Sequence, residues 1–494
     1  MAKRNPTQKA TSSARSRASG TTRSRAANET WIVGATLVTQ DTRRRVLRAN
    51  LRLVDGRIAE ITTKSPSRAR KAKVLDWTGL TVLPGFVQAH THLCQTLFRN
   101  QADDLELLDW LSKRIWVMEA AHTKETLATS AKMGIYELLS TGTTTVLDMG
   151  TVRHTEAILE TAKKYGIRGS FGKCLMDHPR TTPPGLREST RDALSEAEKL
   201  YRKWNGQAGD RIRISYAPRF VISCTESLLR EVTAAAKHQK TLIHTHASEN
   251  LKEIAMVKDL VHCENVEYLD SLGMTGKNLV LAHCIWLKPN EKEILRKTGT
   301  HVVHCPSSNL KLASGFAHVP DLRARGVNVA LGADGAPCNN NLNMFTEMRL
   351  AALMHKPAHG PKTLPAREIL DMATRDGAKA LNWFDDIGSL EVGKKADLVA
   401  IDLNQPDNAV PQVGKLTEKT AARRLVASGS LDPEAIASSI VYSTSGHHVR
   451  HTMVDGNLLF TGGKVRGIPS GQLVEEIRLA QAKIYLALKG SKSR

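Results

Sequence analysis

The sequence predicts a (β/α)₈ TIM-type barrel with a small β-sandwich domain formed from both chain ends. Three observations predict it. Eight short apolar runs alternate with helix-patterned stretches between about residues 80 and 385. Residues able to bind a metal or move a proton finish several of those runs at the same end. Stretches of another character, with alternating residues around Asp-Gly pairs, lie on both sides. Repeated strand–helix alternation implies a parallel sheet, and eight repeats fit a closed barrel. An open doubly wound sheet is the alternative, but no G-x-G-x-x-G follows a first strand.

Taken in order, residues 1–27 carry seven Lys or Arg, no acid and almost no large apolar side chain. Such a segment cannot offset its ordering entropy by burial, so it reads as a disordered basic tail. A transit peptide shares its Arg and Ser richness but needs an amphipathic face that this segment lacks. Residues 28–83 read as the N-terminal half of the small β-domain, where "LVDGRIAEI" (53–61) sets Asp-Gly between alternating runs, a hairpin signal. The barrel is expected over 84–385, its first run beginning just before that boundary. The runs are "TVLPGFV" (81–87), "TTTVLD" (143–148), "IRGSFGKCLM" (167–176), "RIRISYAPRF" (211–220), "TLIHTHA" (241–247), "LVLAHCI" (279–285), "HVVHC" (301–305) and "VNVALGA" (327–333). Helical spacing appears between them, as in "ETLATSAKMGIYELLS" (125–140) and "ESLLREVTAAAKHQ" (226–239). Residues 386–465, with "VRHTMVDGNLLF", form the second half of the β-domain, and 466–494 supply a helix near 471–488 and a tail.

Composition excludes several classes. At 494 residues the chain suits one large domain and a smaller one. Hydrophobic residues make up 41% and aromatics only 4%, so Val, Leu, Ile and Ala must fill the core. No stretch approaches the roughly 20 apolar residues of a membrane span. Seven scattered cysteines without a C-x-x-C favour free thiols in a reducing compartment, which points to the cytoplasm. The net charge of +21 invites a nucleic-acid reading, but part of it sits in the tail. The remainder is spread without an aromatic-basic repeat, which argues against a nucleic-acid partner. A small-molecule ligand is the better expectation.

The chemistry sits where a barrel of this kind keeps its active site, at the C-terminal ends of the strands. "PGFVQAHTHLCQTL" (84–97) supplies His90 and His92, and "IHTHASEN" supplies His244, His246 and Glu249. His283 ends the sixth run, His304 the seventh, and Asp334 follows the eighth. Chance gives fewer than one His-x-His pair in a chain of this composition, and this one has two. One pair alone decides nothing; convergence of polar residues on strand after strand does. Residues i and i+2 of a strand share a face, so His90 and His92 can hold one ion together. Neutral imidazoles and one carboxylate suit a divalent cation such as zinc and leave room for a water.

These residues, with "DDLELLDWL", "GTTTVLDM", "LAHCIWL", "VHCPSSNLKLASG" and "LGADGAPCNNNLNMFTEMRLAAL", resemble the amidohydrolase superfamily. The resemblance is to the branch of methylthioadenosine/S-adenosylhomocysteine deaminases, guanine deaminases and triazine hydrolases, and it covers nearly all of the chain after the tail. It implies metal ligands His90, His92, His246 and Asp334 around one divalent cation, zinc first and iron(II) as the alternative. It also implies a homo-oligomer. No lysine at the end of the fourth run, "YAPRF", is placed to bridge two ions. His244 should lie deeper in the barrel and is given no ligand role. Glu249 is then the general acid and base, while His283 and Asp334 orient the attacking water and take up its proton.

The substrate signals conflict. "APRFVISCTESLL" (217–229), with Arg219, and Gln95 resemble guanine deaminases. "SSNLKLASG" and "NNNLNMFTEMRLAAL" resemble the nucleoside deaminases. Glu119 stands where a carboxylate can accept ribose hydroxyls, Lys173 where a cation can meet an anionic substrate tail, and His304 among the substrate contacts. The expectation is deamination of a 5′-modified adenosine, such as 5′-deoxyadenosine, methylthioadenosine or S-adenosylhomocysteine. Guanine is the alternative and a triazine the third choice.

Overall fold

The computed structural model describes residues 28–64, 72–410 and 432–492; the expected basic tail, 1–27, lies outside them. Eight parallel strands form the barrel sheet: β6 (Phe86–Thr91), β7 (Thr143–Met149), β8 (Arg168–Leu175), β9 (Ile212–Pro218), β10 (Ile243–Ala247), β11 (Leu279–His283), β12 (His301–His304) and β13 (Val329–Leu331). Each pairs with its neighbour in sequence order, with helices between them. Closure of β13 onto β6 comes from a parallel bridge between Thr91 and Asp334 and from the Asp334 N–H donating to the His90 carbonyl at 3.2 Å. Gly332 permits that approach, since a Cβ there would meet the His90 backbone at 2.8 Å. The seam of the barrel therefore runs through two of the expected ligands.

Both chain ends build one mixed nine-stranded sheet. Its N-terminal strands are β1 (Glu29–Val38), β2 (Val46–Val54), β3 (Arg57–Thr62), β4 (Lys73–Asp76) and β5 (Leu80–Pro84). Its C-terminal strands are β14 (Leu398–Asp402), β15 (Val449–Val454), β16 (Asn457–Thr461) and β17 (Lys464–Val465). They lie in the order β17-β16-β15-β14-β5-β1-β2-β3, with β4 beside β1. Ile32, Leu37, Leu51, Leu53, Val82, Leu398 and Met453 form this sheet's own buried cluster. Both expected Asp-Gly turns are present. Asp55 and Gly56, and again Asp455 and Gly456, have positive φ at both central positions, as a two-residue I′ hairpin requires. The two turns touch, for a Cβ on Gly456 would lie 2.7 Å from the Gly56 Cα.

The first apolar run differs from expectation. Residues 80–84 pair with β14 in the mixed sheet, and the barrel strand starts only at Phe86. Gly85 marks the crossing: its N–H donates to the Asp397 carbonyl, and a Cβ there would collide with Thr144 at 2.1 Å. The helices Lys124–Ser140 and Glu226–Gln239 match their spacing patterns, and Ser470–Lys492 closes the chain. No helix among the described residues is long and apolar enough to cross a membrane.

One buried ion pair ties the barrel floor to the mixed sheet. The Arg168 guanidinium, at the start of β8, donates to both Asp397 oxygens at 2.7 and 3.1 Å, with both side chains at most 1% exposed. Removing one partner strands a charge in the interior, a loss of about 3–5 kcal/mol. Asp397→Ala is therefore expected to lower the free energy of unfolding by that amount in urea titration. A loss below about 1 kcal/mol, the level of an exposed pair, would contradict this reading.

Candidate metal centre and active site

His90 lies on β6 and His92 one residue beyond it; His246 is on β10, and Asp334 follows β13. All four are at most 4% exposed, and one ligand atom from each lies within 4.8 Å of the others. His90 Nε2 is 3.1 Å and His92 Nε2 3.3 Å from Asp334 Oδ1. The second oxygen of Asp334 accepts from the Ser308 hydroxyl at 2.6 Å.

Backbone carbonyls fix the tautomers of two rings. The His92 Nδ1–H donates to the Met149 carbonyl at 2.8 Å, and the His246 Nδ1–H to the Arg219 carbonyl at 2.7 Å. A carbonyl only accepts, so each neutral ring keeps a lone pair on Nε2. Those two Nε2 atoms face each other 3.3 Å apart. Burial holds the His246 ring well below its ordinary pKa and pushes His90 down to about 4. Two lone pairs aimed at one point, with a carboxylate beside them, fit a cation. The donor set, three imidazoles and one carboxylate oxygen, suits a borderline divalent metal.

Glu249 is buried on the segment between β10 and the helix Leu251–Val261, which Asn250 caps by accepting from the Lys252 N–H. The Glu249 N–H donates to Glu253 at 3.3 Å. Burial pushes the Glu249 carboxyl well above its ordinary pKa, and the charges of Asp334 and Glu253 add to this. His283 ends β11 with its Nδ1–H donated to the Asn309 amide oxygen at 2.8 Å. Its Nε2 lone pair then faces Glu249 Oε2 at 3.5 Å and Asp334 Oδ2 at 3.8 Å. His283, Asp334 and Ser248, the residue before Glu249, all hold positive φ. Non-glycine residues in that region are strained, and such strain gathers at functional sites.

Of the expected substrate contacts, three form one network. Gln95 Nε2 donates to Glu119 at 2.9 Å, and the Arg219 guanidinium grips Glu119 at 2.5 and 3.2 Å. Gln95 Oε1 and Arg219 Nε keep no partner among the described residues. His304 is fully buried with both ring nitrogens unpartnered, and burial drives it down to about 3. Lys173 lies apart from this network. Its ammonium contacts Glu188 at 2.8 Å, Glu196 at 3.1 Å and the Val152 carbonyl. It is thus turned into the helix layer and paired there. The neighbouring Cys174 points to the opposite face of the strand.

Sequence reasoning left out Ser308, Asn309 and Glu253; Phe220, beside Arg219 in the "APRF" stretch, stacks its ring on His246 at 4.3 Å. The run "HCPSSNL" signalled the first two, as polar residues directly after a barrel strand. A second His–Asp group, Asp407 with His447 and His448, has a different character. The Ser445 N–H donates to His448 Nδ1 at 3.0 Å, so that neutral ring carries its proton on Nε2 and gives it to Asp407. No lone pair on His448 remains for a cation.

The chain matches the Amidohydrolase family over residues 81–459. It is 36% identical to the 5'-deoxyadenosine deaminase of Methanobrevibacter smithii over 444 residues, 90% of this chain and 95% of that one. To the 5-methylthioadenosine/S-adenosylhomocysteine deaminase of Thermoanaerobacter pseudethanolicus it is 39% identical over 335 residues, covering 68% of this chain and 76% of the relative. Among solved structures, an adenosine deaminase from Xanthomonas campestris with bound zinc superposes with a TM-score of 0.82 at 28% identity, covering 92% and 98% of the two chains. A guanine deaminase from C. acetobutylicum with guanine in its active site gives 0.75 at 25% identity, covering 88% and 100%.

Proposed function

This chain belongs to the amidohydrolase family, and from that premise we propose that it is a deaminase that takes one divalent cation, zinc first and iron(II) second, and releases ammonia from a 5′-modified adenosine. The observation that carries the metal reading is the pair of lone pairs on His92 and His246 at 3.3 Å. His90, His92, His246 and Asp334 would hold the ion. Bound there, a cation supplies Lewis acidity, bringing the ionisation of a water from about 15.7 toward about 7.

The chain's own groups do the rest. His283 Nε2, a lone pair beside Asp334, accepts the proton of the attacking water, while the second oxygen of Asp334, held by Ser308, keeps a fixed direction. Glu249, whose burial favours the protonated carboxyl, donates to the ring nitrogen next to the carbon under attack. That donation draws electrons away from the carbon. The proton taken up by His283 then returns to Glu249 Oε2, 3.5 Å away, and the recharged carboxyl passes it to the departing amine. The hydroxyl proton left on the intermediate restores Glu249 by the same route. Phe220, stacked on His246, offers an apolar plane at the site wall. A cytoplasmic homo-oligomer belongs to the same proposal; light scattering on the purified protein reads the assembly.

Support for the adenosine substrates comes from the relatives named for 5'-deoxyadenosine and 5-methylthioadenosine/S-adenosylhomocysteine. Guanine is the second reading, favoured by the unpartnered Gln95 Oε1 and Arg219 Nε beside Glu119. Ammonia release from a panel of both purine types separates them. Turnover is expected with 5′-deoxyadenosine, methylthioadenosine or S-adenosylhomocysteine. Turnover of guanine with none of any adenosine would overturn the choice.

A further inference from the structure

The second His-x-His pair of the sequence leaves His244 without a task in the chemistry above. It sits on β10 two residues before His246, fully buried, with Nε2 2.8 Å from His90 Nδ1. Its own Nδ1 has no hydrogen-bond partner among the described residues. That separates His90 from the other two imidazole ligands. Carbonyls lock His92 and His246 into one tautomer, whereas His90 leans on a ring that can either give or take a proton.

We infer that His244 is a positioning residue that sets the tautomer of His90 through the 2.8 Å contact between them. Two proton arrangements satisfy that contact. In one, His244 Nε2–H donates to His90 Nδ1, and His90 Nε2–H donates to Asp334 Oδ1 at 3.1 Å. In the other, His90 Nδ1–H donates to His244 Nε2, and His90 Nε2 carries a lone pair. Only the second leaves His90 able to ligate. Each ring holds one proton in both arrangements, so the change of state needs no net proton uptake. It does need His244 to move its own proton to Nδ1, and that atom has no competing partner to forbid the move.

This inference rests on the metal reading, so its test measures binding and proton position rather than turnover. Zinc affinity is read by competition with a chromophoric chelator in the wild type, His244→Gln and His244→Met. The Gln amide can accept or donate at the same point, whereas Met has nearly the same reach and neither capacity. Partners of this kind change metal affinity by about 10- to 100-fold. His244→Met is expected to bind zinc that much more weakly, with an unchanged far-ultraviolet spectrum, and His244→Gln to stay within a few-fold of the wild type. Equal affinity in both variants would overturn the proposal, leaving His244 as packing alone. A ring-¹⁵N histidine spectrum of the wild type decides independently of whether the Met variant folds. Zinc loading should leave His244 protonated on Nδ1, and a proton that stays on Nε2 would refute the relay. Failure of the metal reading looks different, for the wild type itself would then bind no zinc.

Discussion

Replacing Glu249 by Gln lowers kcat by at least about 10²–10⁴, the range of a general acid–base step, and leaves the bound metal in place. The geometry separates the two effects. The Glu249 carboxylate approaches His283 at 3.5 Å, and it is not among the four residues whose ligand atoms converge. Gln has the same length and keeps a hydrogen-bond donor, so substrate affinity should change little, but an amide cannot surrender a proton to a ring nitrogen. Steady-state kinetics beside metal analysis checks this. Near-wild-type turnover in Glu249→Gln would remove Glu249 from the mechanism, and lost metal would make it a ligand instead.

Replacing His246 by Ala has the opposite signature: metal and activity vanish together. The His246 imidazole supplies one of two lone pairs that meet at 3.3 Å, and its ring direction is set by the Arg219 carbonyl and the Phe220 ring. Without it, His92 no longer confronts a second lone pair. The metal-free variant should therefore lose only packing, the loss expected of a vacated buried volume. What it should lose entirely is stabilisation by added zinc. A ligand at a thousand times its Kd stabilises the folded form by about 4.1 kcal/mol. The wild type is expected to melt higher with zinc than in chelator, and His246→Ala to melt alike in both. A zinc-dependent rise of wild-type size in the variant would place the ion elsewhere.

Much of this site was legible because its residues break a pattern. Apolar runs that end in His, Glu or Asp, one strand after another, mark the C-terminal mouth of a barrel, and β6, β10, β11 and β13 deliver their groups there. The Asp-Gly turns were legible for a similar reason: few other pairs accept positive φ twice in succession. The run 81–87 was read as one strand because both of its halves are apolar, and pairing partners far along the chain divide it at Gly85. Parity hid the direction of Lys173. Barrel strands are covered on both faces, so β8 shows no polar-out alternation to tell Lys173 from Cys174. The tautomer locks had no signature at all, since two of them are main-chain carbonyls brought close only by the fold.

Metal analysis of the purified wild type by mass spectrometry, beside His246→Ala, tests the centre most directly. One equivalent of a divalent ion per chain in the wild type, removable by chelator together with activity, and a substoichiometric amount in the variant are predicted. An intact wild-type protein with no ion and full activity in chelator would contradict the account.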